Sequence, residues 1–171
     1  MNALSILFPG VWVHELSHAL ACVVSGVKVH RIHVETRAGM VVHDKASARK
    51  TWAISLAPFV IGTILSFLFL GAAKNAWEQS TLVSVMFGWL GLSIGFHSIP
   101  SVEDALNIPE AIGRQLSSVW KTEKSFLFKV AKAFLYIVTW PIALITAACV
   151  WIVNLSLIFR WLWVAGLMVI A

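Results

Sequence analysis

The sequence predicts an all-α membrane protein with about four transmembrane helices. A small β-hairpin-like segment is expected after the first span, and an amphipathic surface helix after the third. Three observations carry this reading. Hydrophobic residues make up 59% of the 171 and charged residues 12%, with a mean hydropathy of +0.84, against about 25% charge in a soluble domain. Residues 51–73, 79–102 and 133–159 contain no Lys, Arg, Asp or Glu, and each run reaches the roughly 20 residues that cross a bilayer as a helix. Residues 27–43 alone alternate apolar and polar side chains. The length suits one integral membrane domain spanning residues 1–171, held together by helix packing and internal backbone bonding rather than by expulsion of water.

Residues 3–26 form the expected first span, closed by Ser25-Gly26. Pro9 sits where it either starts or kinks this helix. The opening Met-Asn-Ala-Leu-Ser has no Lys or Arg, so this span reads as retained rather than as a cleaved leader. In residues 27–43, Val27, Val29, Ile32, Val34 and Thr36 alternate with polar residues, with a phase shift at His30-Arg31. That is a strand signature with a bulge. Arg37-Ala38-Gly39 reads as the turn and Met40-Val41-Val42 as the return strand.

The second span, 51–73, contains Ala57-Pro58, which frees a backbone carbonyl inside the helix. In the third, Gly88, Gly91, Ser93 and Gly95 favour close helix approach. Asn107-Ile108-Pro109 resembles a helix start. Ile108, Ile112, Leu116, Val119 and Trp120 then recur at helical spacing over 107–121, as a membrane-facing or packing stripe. Residues 126–171 hold one span and a short terminal segment around Arg160, or two short hairpinned helices.

The net charge of +5 follows from where the cations fall, not from a nucleic-acid surface. Six of the 13 Lys and Arg lie in residues 27–50 and five in 100–132. By the positive-inside rule both segments face the cytoplasm of a multi-pass protein, with the cell membrane as the expected location. Cys22 and Cys149 both lie in apolar runs and read as small buried hydrophobes.

The strongest chemical signal is His14-Glu15-Leu16-Ser17-His18, an HExxH motif. Residues four apart share a helix face, so both imidazoles reach one metal ion while Glu15 reaches a water on it. That pattern marks two zinc ligands and the general base of a metallopeptidase. Its chance expectation in a chain of this composition is on the order of 0.01. Ionisable groups within a membrane are costly and point to function.

A catalytic zinc takes a third protein ligand. His97, Glu103 and Asp104 are the candidates near the spans. Ser101-Val102-Glu103-Asp104 also fits a capping box, in which Asp104 would only hold a helix start. His97 is a further candidate for oxyanion stabilisation or ligand orientation. His30, His33 and His43 have no metal-ligand spacing and read as surface histidines.

An HExxH in an apolar first helix, a hairpin-like surface segment, and a Pro-then-Asp motif closing the third core span together resemble the site-2 protease family of intramembrane zinc metalloproteases. The resemblance covers roughly residues 8–105. It implies one catalytic Zn²⁺ on His14, His18 and Asp104, Glu15 as general base, and a catalytic core at about 3–105. The partner it implies is a membrane-protein substrate, bound by strand addition near residues 27–43 and cut in or near its transmembrane segment. This chain reads Pro100-Ser101-Val102-Glu103-Asp104 where the family has an Asn-Pro-Asp-Gly type motif, and Ala57-Pro58 where the family has a Gly-Pro type. A membrane metal-binding or transport protein, or an inactive protease-like scaffold, would use the same ligands without needing Glu15 as base.

Overall fold

A computed structural model describes residues 3–36 and 38–171. The chain is mostly helical, with one two-stranded antiparallel sheet. A 3-10 turn, Ala3–Leu7, leads into α1 (Phe8–Val24). Strands β1 (Val29–Val34) and β2 (Gly39–His43) follow, then α2 (Ala48–Ala76), α3 (Thr81–His97), α4 (Val102–Thr122), α5 (Phe126–Asn154) and α6 (Leu157–Ile170).

Among the described residues three helical segments are long and apolar enough to cross a membrane: Ser5–Val24, Ala48–Ala76 and Phe126–Asn154. A fourth arises if α3 and α4, bent by 41° at a short break, count as one broken span. With 14 residues, α6 extends only about 21 Å at 1.5 Å per residue, short of a hydrocarbon core of about 30 Å.

Pro9 occupies the first turn of α1, where its missing N–H costs no helical bond. The sheet carries its register shift between Val29 and Arg31, where the sequence alternation breaks. Glu35 N donates to Ala38 O at 2.8 Å to close the turn. Gly39 belongs to β2 rather than to the turn, and the expected turn residue Arg37 lies outside the described residues.

Helix α2 packs along α3 through small polar residues. Ser66 Oγ donates to Gly91 O and Ser84 Oγ to Ala73 O, both at 2.7 Å. A Cβ at Gly95 would fall 2.5 Å from Ser66 Oγ, so the small residues expected to permit close approach do so there. Ser93 serves the opposite side of α3. Its hydroxyl donates to Leu7 O at 2.7 Å and accepts from Gly10 N at 2.8 Å, tying α1 to α3.

Two expectations need correction. Helix α4 starts at Val102, not near Asn107. Ser101 Oγ accepts from Asp104 N at 3.0 Å, and the Asp104 carboxylate accepts from Ser101 N at 2.9 Å. This reciprocal capping box starts the helix five residues earlier, and Pro109 falls inside it. The first part of the apolar stripe of α4 is a packing face, with Ile108, Ala111 and Ile112 buried against Ala48 of α2 and Ala143 of α5, whereas Trp120 at its end is exposed.

The second correction concerns the cysteines. Cys22 is buried beside Val27 and Ile54, but Cys149 is exposed. The reason is the outer position of α5, whose buried residues are Ala133, Ala143 and Ala147. Its remaining faces meet the surroundings of the bundle.

Candidate metal centre

One helical turn separates His14 from His18 on α1, and their rings lie edge to face with centroids 4.9 Å apart. Each ring is held from behind. His18 Nδ1 lies 2.8 Å from Ile54 O on α2. Ile54 is four residues before Pro58, so the intrahelical donor to its carbonyl is missing. The proline in the second span thus supplies the acceptor that orients a histidine in the first. His14 Nδ1 lies 2.7 Å from His97 O, at the end of α3, where helix carbonyls lack intrahelical partners.

A carbonyl only accepts, so both Nδ1 atoms carry the proton and donate. In a neutral ring bonded this way Nε2 is left as an acceptor, and the two Nε2 atoms lie 3.2 Å apart. Asp104 closes the group from the first turn of α4, its Oδ1 3.2 Å from His18 Nε2 and its Oδ2 3.4 Å from His14 Nε2. Each of the three residues offers one ligand atom, all within 4.8 Å of one another. The three groups converge closely enough that a proton or a metal ion could sit among them. Two imidazoles and a carboxylate are a donor set that zinc takes.

Asp104 therefore serves the capping box and faces the two histidines at once. It caps α4, and Ser101 Oγ also donates to its Oδ2 at 2.7 Å. The cap fixes the rotamer that turns the carboxylate toward the histidines.

Glu15 is buried, 7% exposed. Strand β2 covers it so closely that a Cβ at Gly39 would run into its side chain, 2.6 Å from Cδ. Only glycine lets the strand lie there.

The side chains of His97 and Glu103 stand outside the three-residue group, and Glu103 is exposed. His97 Nδ1 donates to its own helix at Ser93 O, 3.0 Å away. Its neutral ring then offers Nε2 as an acceptor, so donation to an oxyanion would require the imidazolium. What His97 supplies to the group is its backbone carbonyl.

The remaining histidines sit on the hairpin. His30 Nε2 is 2.7 Å from Asp44 Oδ1 and His33 Nε2 is 3.0 Å from Glu35 Oε1, while His43 Nδ1 donates to Asp44 O at 2.7 Å. The hydrogen bond from His30 holds the exposed Asp44 carboxyl below its ordinary value.

A cavity of about 500 Å³ opens on the group. Its walls come from α1 around Glu15, from β2 at Gly39–Val41, from α2 at Thr51–Ser55, and from the α3–α4 break. One face of α4 continues it outward through Glu103, Asn107, Glu110 and Arg114, spaced four, three and four residues apart. A polar stripe of this kind admits water to a site among apolar helices.

Arg160 also lines the cavity, and sequence reasoning assigned it no role. The signal was there, as a single cation between two long apolar runs.

The proline–histidine contact is testable by Pro58→Ala. The new N–H would compete with His18 for Ile54 O, so metal affinity is expected to fall about 10-fold, within the range for loss of a ligand's supporting hydrogen bond. Metal titration of the purified variant measures it. Searches of family models, curated proteins and solved structures found no match to this chain.

Proposed function

We propose that this protein is an intramembrane zinc metalloprotease of the site-2 protease type, hydrolysing peptide bonds in or near transmembrane segments of membrane proteins. The observation that carries the reading is the convergence of His14 Nε2, His18 Nε2 and the Asp104 carboxylate, with both Nδ1 protons bonded away. It is supported by the buried carboxylate of Glu15 beside them, which a metal-storage or scaffold site does not require. Zinc on these three ligands would acidify a water molecule and polarise the scissile carbonyl.

Glu15 takes a proton from the attacking water and passes it to the leaving amine. His97 O and Ile54 O keep the two imidazoles in the tautomer that leaves Nε2 available. Asp104 contributes charge, and Ser101 keeps it in place.

A transmembrane helix shields its peptide bonds, so a substrate has to unwind locally. Strand β2 borders the cavity along Gly39–Val41, and among the described residues the strand pairs only with β1, so its other edge is the place for an extended peptide to add. A peptide added there would run past Glu15. The basic segments 27–50 and 100–132 belong on the cytoplasmic side in this reading, which puts the polar mouth of the cavity there too.

The test is reconstitution in liposomes with a single-span reporter. Cleavage is expected, arrested by a membrane-permeant chelator and restored by zinc. Metal flux across the liposomes without cleavage would favour a transport protein and overturn the proposal.

A further inference from the structure

Arg160 is a lone cation in an apolar helix. An arginine in that setting is costly unless its charge and N–H groups are held, yet among the described residues no carboxylate pairs with it. Its guanidinium instead donates to Phe96 O at 2.9 Å and to Asn154 Oδ1 at 2.6 Å, and lies 5.7 Å from the Phe96 ring centroid. Phe96 O is among the last carbonyls of α3, the negative end of that helix, where a cation is favourable.

Two other side chains of the same C-terminal hairpin grip the residues that follow. Trp163 Nε1 donates to Ser98 Oγ and Asn154 Nδ2 to Pro100 O, each at 3.1 Å. Phe96 in the last turn of α3 and residues 98 and 100 of the α3–α4 break are thus each bonded to α5 or α6. The residue between the first two, His97, offers the carbonyl that orients His14. The residue after the last, Ser101, is the cap that places Asp104.

The geometry points to the α5–α6 hairpin as a clamp on the α3–α4 break, with Arg160, Asn154 and Trp163 as positioning residues that set His14 and Asp104 at ligating distance from each other. Their hydrogen bonds go to the segment 96–100 rather than to a ligand side chain: Arg160 and Asn154 reach the carbonyls of Phe96 and Pro100, and Trp163 the hydroxyl of Ser98. The inference rests on the metal-centre reading above. It extends the functional unit beyond residues 8–105, where the family resemblance ends, to a C-terminal hairpin with no motif of its own.

The test uses the full chain in lipid nanodiscs with Co²⁺ as a spectroscopic probe of the zinc site. Arg160→Met is expected to weaken Co²⁺ binding about 10- to 100-fold, the range for loss of an outer-shell partner, and to shift the ligand-field bands. Arg160→Lys keeps a cation at the α3 carbonyls and is expected to restore most of both. Trp163→Phe removes the N–H and keeps an aromatic ring against Phe59. It is expected to show a smaller loss in the same direction, and it decides the matter if Arg160→Met does not fold. Hydrogen exchange at the amides of residues 101–105 is expected to quicken in these variants without metal.

Unchanged Co²⁺ affinity and spectrum in Arg160→Met, or in Trp163→Phe where the former does not fold, overturns the clamp. If the wild-type chain binds no Co²⁺, or if binding survives His18→Ala, the metal-centre reading falls instead. Exchange at 101–105 then decides the clamp alone, and unchanged exchange overturns it.

Discussion

Glu15→Gln is expected to lower the cleavage rate by about 100- to 10,000-fold, the contribution of a positioned general base, while the protein keeps its fold and its metal. Glutamine has the shape of glutamate. It fits the same buried space beneath Gly39, so packing of β2 on α1 is preserved. It accepts no proton from water at neutral pH, so the loss falls on kcat. Glu15 is not among the three residues that could hold a metal ion, so bound zinc is expected to stay at one per chain. Single-turnover cleavage of a membrane-embedded reporter, with zinc measured on the same sample, separates the two quantities. Cleavage at the wild-type rate would remove Glu15 from the mechanism.

Asp104 is expected to be the more damaging position, because one carboxylate has two duties. Asp104→Ala removes the carboxylate that faces His14 and His18. It also removes the acceptor for Ser101 N and Oγ. Ser101 remains the cap, and losing the N3 half of the capping box costs about 0.5–1.5 kcal/mol, the net value of a hydrogen bond, while activity should disappear with the metal. Asp104→Asn separates the duties. Its amide oxygen still accepts from Ser101, so α4 keeps its start, whereas the negative charge that balances the metal is gone. Zinc affinity and thermal stability are to be measured on both variants. The asparagine variant is expected to lose affinity with little loss of stability, and the alanine variant to lose both. Wild-type zinc affinity in the asparagine variant would show that the third ligand lies elsewhere.

Much of this molecule is legible in one dimension. The HExxH spacing places two imidazoles on one helix face whatever surrounds them, because the periodicity of a helix is local. The charge-free runs announce apolar helices because lipid excludes unpaired backbone groups. The broken alternation at His30-Arg31 marks the register shift of the hairpin, since side-chain phase in a strand has period two. Pro58 signals a carbonyl without its helical donor, and the capping box at Ser101-Asp104 is readable as four residues.

The assembly of these parts was not legible. That Ile54 O meets His18, that His97 contributes a carbonyl rather than a ring, and that β2 lies on Glu15 are contacts between elements far apart in sequence. The start of α4 was misplaced because Asn107-Pro109 offers a competing start signal, and only the folded turn shows which cap forms. Arg160 gave a signal without a direction. By itself the sequence determined the motif, the apolar helices and the hairpin, all of which follow from local periodicity and composition. The tertiary structure decided that Asp104 both caps a helix and faces the two histidines, and that a C-terminal hairpin holds the turn between them. Those are matters of distance between separate helices, and no local pattern encodes the approach of one helix to another.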